Sequence, residues 1–458
     1  MADVIIWTSV SEHPGVIRSA GAYSLKSWLT QNGYTVKVID FCSKLTIEDI
    51  YNITSRFLSN ETIAIGISTT FFDLTTLDKL VAVRKLIEES NNRVQWIAGG
   101  YFAGTNRVKE LERWIQFSGI GEDNLLRWLD TQSGNTVERK PFDITCANQM
   151  WDDSDIIFSN EALPIELGRG CKFKCKFCQY PLIGKTPGTY IRNLNHVRNE
   201  MISNYERWGV TNYYFIDDTV NEDDGKMQQL VDISQSLPFK LQWVGYQRAD
   251  LIYSHPHQAQ WIKDSGCIGT FFGIESLNPE AAKTVGKGWN GIHARDYVPN
   301  LINNIWNREI GLQVGLIIGL PGDTEKDAVT AQQWCIDSNI HEWGFKALFI
   351  ARENSVWQSE FDRNHGLYGY KFNDPKSSIN WSNKHWSFLD AIELEKQLWN
   401  QSTLYKKPGC WTRNSLYTSV GRLFKEELYN SIDKTDIEFR VDARIKEYVV
   451  RSLEYPQY

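Results

Sequence analysis

Three cysteines fall within eight residues of this chain, Cys171, Cys175 and Cys178, in the run Gly168–Tyr180, GRGCKFKCKFCQY. The spacing C-x3-C-x2-C puts three thiolates on one short loop, where they can wrap a single small metal centre. A closed structural zinc site wants four ligands, in two spaced pairs or with a nearby histidine. The next histidine is His196, and no fourth cysteine is close. Three ligands instead suit an iron–sulfur cubane with three irons bound to protein and one left open. An open iron can chelate the amino and carboxylate groups of S-adenosylmethionine (SAM) and pass one electron to the sulfonium. Carbon–sulfur homolysis then gives a 5′-deoxyadenosyl radical; the cofactor carries that chemistry, and the protein supplies geometry and excludes water. The other five cysteines, Cys42, Cys146, Cys267, Cys335 and Cys410, are scattered, unlike a secreted disulfide framework.

Two series of strand-like and helix-like runs must position this loop. The first alternates Val4–Thr8, Thr35–Asp40, Ile63–Ser68, Val94–Ala98 and Phe117–Ile120 as strands with helical runs at Ala20–Asn32, Ile47–Leu58, Leu77–Glu89 and from Gly121 to about Leu129. Alternation of this kind predicts a parallel, doubly wound sheet, which binds ligands at the carboxyl ends of its strands. Residues 136–162 are polar and weakly patterned and read as a linker. A second series follows: Leu163–Leu167, Asn212–Ile216, Lys240–Gly245, Gly269–Ile274, Leu312–Ile318 and Lys346–Ile350. Six strands separated by helices predict a partial (β/α)6 barrel, with chemistry at the strand ends. The reading is thus an α/β chain: a Rossmann-like domain over 1–135, a TIM-like barrel over 163–355, and a mostly helical, Trp-rich region over 356–458 with helices near 389–403 and 416–430.

The cysteine loop after the first barrel strand resembles that of the radical SAM superfamily, and downstream features keep the same order. What the resemblance implies is a SAM site. Phe177, before the third cysteine, matches an aromatic position near the adenine. Asp217 and Asp218 end the second strand, where the amino group is held. Arg248, in GYQRADLI, matches a position that pairs with the carboxylate, for which a guanidinium is suited. Glu275, in FFGIESLNPE, could accept the ribose hydroxyls. Ile318 and Gly319, in GLIIGLPGDTE, match the fifth-strand motif whose backbone lies against adenine.

The first domain is similar to that of the cobalamin-binding subgroup, through SAGAYSLKSWLTQNGYTVKVIDF, IAIGISTTFF, WIAGGYFAG and FSGIGEDNLLRWL. On that resemblance Ser68, Thr69 and Thr70 would reach the corrin or its nucleotide tail, with Gly99, Gly100, Gly121 and Glu122 beside them. The D-x-H-x-x-G pattern that supplies a cobalt ligand elsewhere is missing. Glu12-His13-Pro14-Gly15 lies in the right loop at the wrong spacing, so His13 reads as a solvated loop histidine rather than a lower ligand. No dinucleotide fingerprint follows the first strand.

The cofactors expected are therefore a [4Fe–4S] cluster, SAM and cobalamin. The implied activity is methylation of an unactivated carbon through the 5′-deoxyadenosyl radical and methylcobalamin. A radical rearrangement or cyclisation with the same cofactors is the alternative, and a non-enzymatic iron–sulfur redox or scaffold protein is the alternative of another class. No residue is assigned a catalytic role. The substrate is a small molecule or peptide, and a flavodoxin- or ferredoxin-type electron donor is implied. The net charge of −7 gives no indication of nucleic-acid binding. No stretch reaches the roughly 20 apolar residues of a membrane span, and no signal peptide is evident, so a cytoplasmic location is expected. The 18 tryptophans, many beyond residue 280, read as packing or as a substrate wall over the barrel mouth.

Overall fold

In a computed structural model, the structure describes residues 1–456 apart from 13–14, 70–73, 91–92, 101–102, 104–107, 118–120, 160, 179–189, 351–357, 374–378 and 405–433. The chain opens with β1 (Val4–Trp7), a hairpin of β2 (Val10–Glu12) and β3 (Gly15–Ile17), and β4 (Val36–Ile39). Then come β5 (Ala64–Ser68), β6 (Gln95–Gly99) and β7 (Ile115–Phe117). The first sheet has the order β4-β1-β5-β6-β7, and all its pairings are parallel. Every residue of β1 is buried, as expected of a strand covered on both faces. The covering helices are α1 (Ala20–Gln31), α2 (Ile47–Phe57), α3 (Leu74–Ser90) and α4 (Gly121–Gln132). Local sequence starts two of them: Ser19 caps α1, and Thr46 with Asp49 forms a capping box on α2. The order reverses between β1 and β5, so the ligand crevice of this doubly wound sheet lies at their carboxyl ends.

The second sheet runs β13-β12-β11-β10-β9-β8, again all parallel. Its strands are β8 (Ala162–Ile165), β9 (Asn212–Phe215), β10 (Gln242–Gln247), β11 (Cys267–Glu275), β12 (Gly311–Ile318) and β13 (Glu342–Ala347). Sequential order with intervening helices gives the open, partial barrel. Two strands sit earlier than the sequence suggests. The last barrel strand is Glu342–Ala347 rather than Lys346–Ile350, because Trp343 and Phe345 are the buried, alternating positions. The fifth strand of the first sheet is Ile115–Phe117 rather than Phe117–Ile120, whose last three residues lie outside those described.

Residues 136–162 do more than connect. Asp155, Ile156, Ile157, Phe158 and Glu161 are all buried. Arg18, from the first domain, donates from Nε to Glu161 Oε1 at 2.6 Å and from Nη1 to Asp40 Oδ2 at 2.9 Å. It also donates to the carbonyls of Asp155 and Ile156. A buried guanidinium persists only when its donors are satisfied in this way.

The region after β13 contains a two-stranded hairpin, β14 (Lys371–Phe372) with β15 (Trp381–Ser382), and the helix Phe388–Leu404. A last helix, Lys434–Glu454, packs on α2 and β3 of the first domain, and the Tyr448 hydroxyl accepts from Asp40 N at 3.1 Å. The expected helix near 416–430 lies outside the described residues. The tryptophans are largely core: Trp306, Trp343 and Trp381 are buried, and the indoles of Trp306 and Trp381 donate to the carbonyls of Ala259 and Leu348. No helix among the described residues is long and apolar enough to cross a membrane.

Candidate cofactor site at the facing strand ends

The cysteine loop leaves the end of β8 and turns at Gly170, whose φ of +80° suits glycine. The barrel and the region after it pin the loop from two sides: Lys176 N donates to the Val285 carbonyl at 3.0 Å, and the Lys176 carbonyl accepts from Phe361 N at 2.9 Å. Cys171, Cys175 and Cys178 are half-buried and in no disulfide. The Cys171 sulfur lies 3.4 Å from Thr219 Oγ1. Burial pushes the Cys171 thiol up, against the hydrogen bond with Thr219, and Glu222 and Asp218 add to the rise. Among the described residues no three His, Cys, Asp or Glu side chains gather round a point that one metal ion could occupy. A cubane does not ask for that, because each thiolate binds a different iron. Three thiols on one pinned loop therefore fit a cluster.

The expected SAM-site residues do collect at the strand ends, though several are already engaged. Phe177 packs against the main core. Asp217 is buried in an ion pair with Lys226, 2.5 Å from Oδ2 to Nζ, and its Oδ1 accepts from Leu167 N at 2.7 Å. Burial raises its carboxyl, opposed by the Lys226 charge. Asp217 thus ties β9 to β8, and the half-buried Asp218 is the neighbour left closer to the surface. Arg248 holds Asp250 with two nitrogens and approaches Cys175 with the third. Glu275 sits at φ +66°, where β11 breaks register with β12, and its Oε1 is 2.6 Å from Lys287 Nζ. Such a strained non-glycine backbone at a strand end is a usual companion of function.

Ile318 ends β12, and Gly319 follows at φ +97°. Its carbonyl accepts from the Tyr370 hydroxyl at 2.7 Å and from Asn383 Nδ2 at 3.2 Å. The Trp-rich region thus braces the fifth-strand motif from behind, so Tyr370 and Trp381 are packing groups and not a pocket wall.

In the first domain, Ser68 ends β5, its hydroxyl 3.5 Å from that of Ser19. Thr69 spends its N–H and its hydroxyl on the Gly99 carbonyl, at 2.7 and 2.8 Å. Gly100 is exposed at φ +96°, and Gly121 starts α4. Glu122 is buried, accepting from Ser24 Oγ at 3.1 Å and from Arg169 Nη1 at 2.8 Å. Thr70 and His13 lie outside the described residues. The structure therefore brings Ser68, Thr69, Gly99 and Gly100 together at the adjacent carboxyl ends of β5 and β6, and gives Glu122 a strut role.

Arg169 is the residue that sequence reasoning missed. It stands two positions before Cys171, bonds Glu166 with Nε and Nη2, and reaches Glu122 and Ser24 across the interface. The carboxyl-end loops of the two sheets therefore meet beside the cysteine loop. The only local signal was a charged residue between two glycines. Asp250, Lys287 and Asn383 were missed as well, and nothing local marks them.

Residues 165–335 match the Radical SAM superfamily. The chain is 25% identical over 227 residues, 47% of its length, to the bacteriochlorophyllide d C-12(1)-methyltransferase of Chlorobaculum tepidum, of which 48% is covered. It thus spans about half the length of that relative. Its fold is similar to that of TsrM, a radical S-adenosylmethionine methyltransferase from Kitasatospora setae solved with cobalamin and a [4Fe–4S] cluster. That likeness has a TM-score of 0.65 and 14% identity, over 97% of this chain and 100% of that one. It is also similar to OxsB, a cobalamin-dependent SAM radical enzyme solved with aqua-cobalamin, with a TM-score of 0.57 and 13% identity over 98% and 83% of the two chains. Residues 165–335 thus carry a radical SAM domain, and the chain as a whole has a fold similar to those of TsrM and OxsB.

Proposed function

We propose that this chain is a cobalamin-dependent radical SAM methyltransferase acting on an unactivated carbon of a small molecule or peptide. The observation that carries the reading is the meeting of the two sheets' carboxyl ends at Arg169, which sets the first domain's crevice beside the cysteine loop. When bound, the cluster, SAM and cobalamin would together supply radical formation and a methyl group. The protein's own part is to hold and to exclude. Cys171, Cys175 and Cys178 would bind three irons. Asp218, Glu275 and the Ile318–Gly319 backbone would hold SAM, with Phe177 near its adenine. Ser68, Thr69, Gly99 and Gly100 would receive cobalamin. Lys172 and Lys174 are exposed beside the loop, where a flavodoxin- or ferredoxin-type donor could deliver its electron. The relative of Chlorobaculum tepidum, a methyltransferase by name, supports methyl transfer over other radical chemistry.

The test is anaerobic reconstitution of the full chain with iron, sulfide and hydroxocobalamin, then dithionite and SAM. A retained corrin spectrum and formation of 5′-deoxyadenosine and S-adenosylhomocysteine are expected. An intact cluster that never cleaves SAM would sink the enzymatic reading. An intact cluster without corrin absorption would remove cobalamin from it.

A further inference from the structure

One side of the cysteine loop is held by an arginine that uses every side-chain nitrogen. Arg248 lies between the end of β10 and the short helix Ala249–Ser254. Its Nε donates to Asp250 Oδ1 at 3.0 Å and its Nη2 to Asp250 Oδ2 at 2.6 Å, a bidentate grip. The remaining nitrogen, Nη1, is 3.4 Å from the Cys175 sulfur. The guanidinium carbon sits 4.0 Å from the ring centroid of Phe173, which lies on the loop between Cys171 and Cys175. Asp250 and Arg248 are both buried. Two bonds to one carboxylate fix the plane of the fork, and stacking on Phe173 fixes its tilt. The third N–H then points at one sulfur. Cys171 has a different neighbour, the neutral Thr219 hydroxyl at 3.4 Å.

We propose that Arg248 tunes the reduction potential of the cluster held by Cys171, Cys175 and Cys178, with Asp250 as the positioning residue that aims it. The inference rests on the reading that this loop holds a cluster. One-electron reduction leaves the cluster and its thiolates more negative, and no bond forms or breaks. A directed N–H to sulfur and a fixed positive charge stabilise the reduced form more than the oxidised form, so they raise the potential. Asp250 lies on the other edge of the guanidinium, which lets it hold the group without competing for the sulfur. This role differs from that of a free fork waiting for the SAM carboxylate, because two of the three nitrogens are already bound.

The test uses the full chain, reconstituted anaerobically and without SAM. The midpoint potential is measured by EPR-monitored titration with dithionite and mediators for wild type, Arg248→Gln and Arg248→Lys. The glutamine variant should shift to a more negative potential. The lysine variant keeps the charge but loses the planar fork, and should shift less in the same direction. Proton ENDOR of the reduced wild type should show an exchangeable proton coupled to the cluster, weakened in Arg248→Gln. Equal potentials in all three proteins at full iron and sulfide content overturn the inference. If Arg248→Gln takes up no cluster, Arg248→Lys decides, and an unchanged potential there overturns it. A wild-type chain that takes up no iron overturns the cluster reading itself and the tuning role with it.

Discussion

Gly319→Ala is the substitution whose cost can be worked most directly from the structure. Gly319 sits at φ +97°, where an L side chain is strained by about 1–3 kcal/mol. A Cβ there would stand 2.5 Å from Trp381 Cη2 and 3.1 Å from its Cζ2. The indole cannot swing aside cheaply, because it is fully buried and its Nε1 donates to the Leu348 carbonyl at 2.9 Å. Overpacking of this kind costs about 1–3 kcal/mol more. The sum, about 2–6 kcal/mol, falls on the backbone proposed to lie against adenine. The folded chain bears that cost with or without SAM, so the melting temperature should fall by several degrees, and SAM affinity should fall with the displacement of this backbone. Thermal unfolding reads the first change, and equilibrium dialysis of reconstituted protein under anaerobic conditions reads the second. Trimming the clash with Trp381→Phe in the same chain should recover part of the loss, since the two residues touch and their effects will not add. Wild-type affinity in Gly319→Ala would refute the reasoning, and strict additivity in the double variant would refute its steric half.

Three further outcomes follow from buried charge. Arg18→Met leaves Asp40 and Glu161 buried without their cation and should cost about 3–5 kcal/mol. Thermal unfolding should shift by several degrees, and a shift under about 2 °C would contradict the network's role. Asp323 has its carboxyl pushed up to about 7, first by burial and then by the charge of Asp327. Its unfolded value is about 3.9, so folding takes up a proton; that contribution is complete below about pH 4 and lost as pH rises through about 7. Wild type should therefore lose stability between about pH 4 and pH 7 that Asp323→Asn does not, and parallel melting profiles would count against it. Arg169→Met severs the strut to Glu122. It should leave iron content unchanged and weaken retention of hydroxocobalamin on anaerobic gel filtration, whereas equal retention would separate the strut from corrin binding.

The features legible in the sequence are those written in neighbouring residues. The cysteine spacing, the caps at Ser19 and Thr46, and the apolar runs of β1 and β12 are all local. Alternating strands and helices then leave few topologies open, because parallel crossovers share one hand. Strand limits drifted where a run such as Lys346–Ile350 looked as apolar as the strand before it.

Sequence alone determined that three thiols share one loop, that the loop follows the first strand of a barrel, and that a doubly wound domain precedes it. Tertiary structure decided how the charged residues are used. Asp217 goes to Lys226, Glu122 to Arg169, and Arg248 to Asp250 and Cys175. It also turned the linker into a buried joint and the tryptophans into core. The reason is range: Glu122 and Arg169 are 47 residues apart, and Arg248 and Cys175 are 73. A charged side chain carries no mark of its partner until the fold buries both, and then desolvation forces the pairing.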